Sequence, residues 1–123
     1  MKIPPTHQAV MPYLIIKNAD QFASFTKEVF NAEQIFIRMR DDSNTIMHAE
    51  IKIGGCTIMY AASTEQYEPQ TAGLFVYVED ADASYEKALT LGATAIMPPA
   101  DQSYGRSCGI TDPCGNTWWI TSV

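Results

Sequence analysis

The chain is poor in several of the residues that mark large functional classes. Of its 123 residues only eight are Lys or Arg, against 14 Asp and Glu, and the cations are scattered singly. Nucleic acid needs clustered cations to displace its condensed counterions, so no nucleic-acid partner is expected. No apolar run approaches the roughly 18 residues that cross a bilayer, so no membrane span is expected. The start, MKIPPTHQAV, sets a proline pair where a secretory leader has its apolar stretch. Cysteine is scarce too: Cys56, Cys108 and Cys114 are odd in number and lack a CxxC spacing. That points to reduced thiols in a cytoplasmic protein, not to a disulfide frame or a zinc knuckle. Cys108 and Cys114 are either set opposite each other in the last hairpin or are two small buried thiols. There is no GxSxG elbow, Gly-rich phosphate loop or HExxH pair. Cys56 follows a Gly-Gly turn but has no nearby cation or helix N-terminus in sequence to activate it, and reads as a structural thiol.

What is present suits one ordinary domain. The hydrophobic fraction is 46%, the charged fraction 18% and the net charge −6. Such a chain buries a core without staples, and its acidity serves solubility or a cationic ligand. AVMPYLIIK predicts a strand; NADQFASFTKEVFNAE predicts a helix with Asn18 as cap and Phe22, Phe25 and Val29 inward. QIFIRMR, TIMHAEIKI and CTIMYAA follow as strands, the last two joined through Gly54-Gly55.

The second half repeats the first. GLFVYV is a strand, and DADASYEKALTLGA a helix capped by Asp80, with Tyr85, Ala88 and Leu89 inward and Gly92 as its left-handed stop. TAIMPP, GRSCGIT and NTWWITS are strands, with PPADQSYGRS as the loop between the first two. Ala19-Asp20 corresponds to Ala81-Asp82, and Asn31-Ala32 to Gly92-Ala93, an offset of about 61 to 62 residues. The fold class is therefore α+β, two βαβββ modules over about residues 8–62 and 72–123, with ASTEQYEPQTAG as the linker.

Two such modules, with HAEIKIGGCTIMY, VYVEDADASYEKALTLGATAIMPPADQSYG and DPCGNTWWI, resemble the PhnB-like branch of the vicinal oxygen chelate superfamily. That superfamily includes glyoxalase I, extradiol dioxygenases, fosfomycin-resistance enzymes and bleomycin-binding proteins. The resemblance covers nearly the whole chain. Its most specific piece is the D-P-x-G-N turn before an aromatic strand; alone, that turn is a weak signal. It implies curled sheets forming a shared cavity, a homodimer, and a divalent metal held by His, Gln or Glu. Carried over residue by residue, the ligand positions fall at or beside Met11, Met59, Gly73 and Trp119. A neutral thioether suits copper(I) better than zinc, nickel, manganese or iron(II), and Gly and Trp supply no side-chain ligand. Neither a metal site nor a cofactor is expected.

The cavity candidates follow from strand parity. Trp118 and Trp119 must face opposite ways, Trp118 into the core and Trp119 into the cavity as a flat wall. In TIMHAEIKI, Thr45, Met47, Ala49, Ile51 and Ile53 form the core face, while Ile46, His48, Glu50 and Lys52 face the cup. His48 and Glu50 orient a ligand, begin a displaced metal site that lacks its third donor, or lie on a solvated sheet edge. The other histidine, His7, lies in the N-terminal tail and is not expected to join them. Tyr13, Phe75 and Tyr77 have the parity of aromatic cavity walls, and Tyr104 and Arg106 are placed at the mouth, Arg106 to pair with a carboxylate or phosphate. The expected function is non-catalytic binding of a small, partly aromatic or cationic organic molecule. A metal-dependent lyase, isomerase or dioxygenase is the alternative, and a domain without a ligand is the third reading.

Overall fold

Alternation of apolar and polar residues gives most strands one face to bury, and an amphipathic helix covers that face in each half. The computed structural model describes residues 1–41 and 44–123. The first module comprises β1 (Tyr13–Ile16), α1 (Ala19–Phe30), β2 (Glu33–Met39), β3 (Ile46–Ile53) and β4 (Cys56–Ala62). The second comprises β5 (Gly73–Tyr77), α2 (Ala81–Thr90), β6 (Thr94–Gln102), β7 (Gly105–Thr111) and β8 (Thr117–Ser122). The strand orders are β1-β4-β3-β2 and β5-β8-β7-β6, so the two mixed sheets are built alike. In each, the first strand runs parallel to the last, and the others pair antiparallel. The α+β class and the two βαβββ modules are as expected. Among the described residues no helix is long and apolar enough to cross a membrane.

Leu14, Ile16, Ile51, Ile58 and Tyr60 of the first sheet are buried with Phe22, Phe25 and Val29 of α1. Val76, Cys108, Ile110, Trp118 and Ile120 are buried with Tyr85 and Ala88 of α2 in the same cluster. Trp118 and Phe30 join the modules, their rings 4.5 Å apart. The helix-covered faces of both sheets thus share one core, and the open faces look away from it.

Several local details depart from expectation. Asn18 begins α1 in a left-handed conformation, φ 56°, with no side-chain cap bond. Its amide instead donates to the Pro113 carbonyl at 3.3 Å, tying the helix start to the other module. Asp80 caps α2 as expected, accepting from the Ala83 N–H at 3.1 Å. Ile46 is buried and Met47 exposed, the reverse of the expected parity, because the β2–β3 register shifts between Arg38 and Met39. β1 starts only at Tyr13, after Pro12. β6 runs past Pro98-Pro99 to Gln102, where a loop was expected; as the outermost strand it tolerates the missing donors. Cys108 and Cys114 are separate buried thiols, pushed up by burial to about 11 and about 12. The Cys114 thiol donates to the Asn18 carbonyl at 3.3 Å.

The DPCGN turn is organised by the Asp112 carboxylate. It accepts from the N–H groups of Cys114 (2.8 Å) and Asn116 (2.9 Å), the Asn116 amide (3.0 Å) and the Trp118 indole (2.8 Å). Asn116 in turn accepts from the N–H of Ala72 at 3.0 Å, anchoring the end of the linker. Asp112→Ala leaves several buried donors unpaired and should cost about 3 kcal/mol. Urea denaturation measures this; a loss below about 1 kcal/mol would mean that water replaces the carboxylate.

Candidate functional site

The open face of the first sheet carries a polar cluster in an aromatic setting. Register brings Glu50 opposite Met59 and Phe36, His48 opposite Arg38, and Tyr13 opposite Met59. The His48 ring lies 5.5 Å from Tyr13 and 5.8 Å from Phe36. Its Nε2 is 2.8 Å from Glu50 Oε2, and its Nδ1 3.3 Å from the Tyr13 hydroxyl. An ionised carboxylate only accepts, so Nε2–H donates to Glu50 and Nδ1 is left to accept from Tyr13.

His7 completes this cluster, contrary to expectation. Its Nε2 sits 2.8 Å from Glu50 Oε1, so each carboxylate oxygen has its own imidazole. Residues 6–8 reach the face because Thr57 donates its hydroxyl to the Thr6 carbonyl, and Gln8 bonds both the N–H and the carbonyl of Thr57 (3.2 and 2.7 Å). The Glu50 side chain is 10% exposed. Burial alone would raise its pKa, but the hydrogen bonds from His48 and His7 outweigh this and hold it below 4.5. Glu50 pairs with no Lys or Arg among the described residues; its ionic partners are the two histidines.

The open face of the second sheet is aromatic. Phe75 lies 5.2 Å from Tyr77 and 6.3 Å from Tyr104, and it is paired in register with Trp119. Trp119 lies over Gly109, where an added Cβ would collide with its ring. Trp118 and Trp119 do face opposite ways. Ser107 and Thr121, buried on this face, share a 2.9 Å hydrogen bond. Arg106 is elsewhere: with the parity of Cys108 and Ile110, it grips Asp82 of α2 at 3.0 and 3.1 Å and Asp101 at 3.3 Å. Those acids engage its guanidinium, so it does not join the aromatic face.

The candidate residues therefore form two groups within one chain, Tyr13, His48 and Glu50 on one sheet and Phe75, Tyr77, Tyr104 and Trp119 on the other. A cleft of about 1410 Å³ between the modules borders Phe75 and Tyr77 but not Glu50. Sequence reasoning passed over Phe36, whose place opposite Glu50 depends on a register shift, and Gly109, whose role appears once β7 and β8 are paired. No periodicity marks His7, which precedes the first strand.

The profile of one protein family matches residues 7–120. The chain belongs to the glyoxalase/bleomycin resistance protein/dioxygenase superfamily. Superfamily relatives with solved structures share the fold. A PhnB protein from Bacillus cereus superposes with a TM-score of 0.74 at 18% identity, covering 94% of this chain and 100% of that one. TioX from Micromonospora gives 0.70 at 22%, covering 94% and 96%. The FosX fosfomycin resistance protein of Listeria monocytogenes, in complex with Mn(II) and a dihydroxypropylphosphonic acid, gives 0.70 at 20%, covering 98% and 93%. An uncharacterized protein of Mycobacterium bovis is 28% identical over 89% of this chain and 80% of its own length.

The positions that correspond to the superfamily's metal ligands hold weak donors or none. The Met11 sulfur accepts from the Gln8 N–H at 3.4 Å, Met59 is a thioether, and Gly73 and Trp119 bring no ligand. His7 and His48 take opposite oxygens of Glu50, and among the described residues no group of three His, Cys, Asp or Glu side chains is placed to hold an ion.

Two measurements probe this geometry. Gly109→Ala should lift Trp119 off β7, shifting the emission of that residue in a Trp118→Phe background; an unchanged spectrum would show that the ring does not rest there. Because the Glu50 pKa is depressed, its stabilising contribution is fully present above pH 4.5 and is lost as pH falls through the folded value. Urea midpoints from pH 7 to pH 3 should therefore fall less steeply for Glu50→Gln than for the native chain.

Proposed function

We propose that this protein binds a small, partly aromatic or cationic organic molecule without transforming it, and that two copies bring unlike open faces together around it. The observation that carries the reading is the Glu50 carboxylate, nearly buried beside His48, whose ring Tyr13 and Phe36 flank, and without a Lys or Arg partner among the described residues. A flat cation there gains a charge-assisted hydrogen bond and cation–π contact together. Tyr13, Phe36, Phe75, Tyr77 and Tyr104 are exposed on the two open faces of one chain. Exposed aromatics of this extent suit a covered interface. The first sheet of one copy facing the second sheet of another would place Glu50 and Trp119 in one cavity. TioX and FosX supply the fold, and their ligands are not carried over.

A screen of planar cations should find one that quenches tryptophan emission. Trp119→Ala should abolish the quenching and Trp118→Phe retain it, at some cost in stability. If Trp119→Ala binds the same compound unchanged, the indole is only a plug. Sedimentation at micromolar concentration should give twice 13.6 kDa. A monomer at every concentration would rule out the shared cavity. The competing reading, a metal-dependent lyase, isomerase or dioxygenase, would centre on a displaced metal site at His48 and Glu50. Elemental analysis after dialysis separates the two. The binding reading expects no stoichiometric Zn, Ni, Mn or Fe, whereas one ion per chain, lost on His48→Ala, would establish the enzyme.

A further inference from the structure

His48 and His7 reach the same carboxylate by different means. His48 stands two residues from Glu50 on β3, so the strand sets its place, and Tyr13 holds its other nitrogen. His7 comes from 43 residues away, on a segment that belongs to no strand. What fastens that segment around His7 is a side-chain clasp: the Gln8 amide imitates a strand partner toward Thr57, and the Thr57 hydroxyl holds the Thr6 carbonyl. A ladder must be peeled off bond by bond, but this clasp opens when two side chains rotate. The His7 imidazole also presents one N–H to Glu50 Oε1, whereas an amidinium, guanidinium or ammonium presents a charged donor to the same oxygen.

We infer that residues 6–8 are a displaceable occupant of the binding face, and that the ligand takes the place of His7 on Glu50 Oε1 with a cationic N–H donor carried on a flat ring. This rests on the binding function proposed above and specifies its ligand class as aromatic amidines, guanidines and amines. His48 remains in place, because its bonds go to Oε2 and to Tyr13. The segment lowers the apparent affinity by the fraction of molecules in which it is docked, so anything that undocks it tightens binding.

The test uses benzamidinium and its uncharged counterpart benzamide, with ¹H–¹⁵N correlation of the ring nitrogens. The chain has only two histidines, so His7→Ala assigns both. The native protein should bind benzamidinium and not benzamide. At saturation the His7 ring signals should move to those of an exposed histidine while those of His48 keep their tautomer. His7→Ala should bind at least about fivefold more tightly, and so should Gln8→Ala, which opens the clasp but leaves His7 intact. Glu50→Gln should lose binding. If His7→Ala binds benzamidinium no more tightly than the native chain, or if His7 stays on Glu50 at saturation, displacement is wrong and the binding function stands. If neither the native chain nor His7→Ala binds benzamidinium, a cation site at Glu50 is wrong, and this inference falls with it.

Discussion

Four hydrogen bonds converge on the carboxylate of Asp112, and the position of both tryptophans depends on them. A buried indole N–H without an acceptor is costly, so Trp118 enters the core only where Asp112 can meet it. Once Trp118 is fixed inward, strand alternation turns Trp119 outward onto Gly109. The same turn reaches Ala72 through Asn116, which sets where β5 begins and therefore where Phe75 and Tyr77 stand. A structural anion in a turn thus positions an aromatic surface that it never touches.

The division between covered and open sheet faces also governs where charge is spent. Arg106 lies on the helix side and is engaged by Asp82 and Asp101, which removes a cation from the aromatic face. Glu50 lies on the open side and is held by the imidazoles of His7 and His48. Each imidazole takes one carboxylate oxygen, and among the described residues no Lys or Arg sits on the anion. A Lys or Arg in the place of either histidine would have stabilised the carboxylate and closed the site to cations.

Much of this architecture can be read directly from residues. β4 and β7 have the expected bounds because Gly54-Gly55 turns the chain into β4 and Gly105, at φ 137°, opens β7. Asp80 and Gly92 act as written, since a cap and a left-handed stop are local chemistry. Where the reading failed, a non-local constraint had intervened. The bulge beside Met39 reverses Ile46 and Met47, and no property of TIMHAEIKI alone encodes it. Pro98-Pro99 reads as a breaker until β6 is known to be outermost. Asn18 looks like a cap, but the carbonyl it serves is on Pro113, 95 residues away. For the site, parity supplied Tyr13, His48, Glu50, Phe75, Tyr77 and Trp119, while the mouth assigned to Arg106 and the exclusion of His7 rested on sequence distance.

The Phe30–Trp118 contact carries a consequence for how the duplicated halves behave as matter. Each half contains a complete βαβββ set, which suggests two separable bodies. Yet a wall of each half's interior is furnished by a ring from the other, and the Cys114 thiol and the Asn18 amide and carbonyl stitch the same seam. An isolated half would present that wall to water as a bare apolar patch. The repeat in the sequence therefore does not correspond to a repeat in cooperativity: the smallest piece that can melt as a unit is the whole chain.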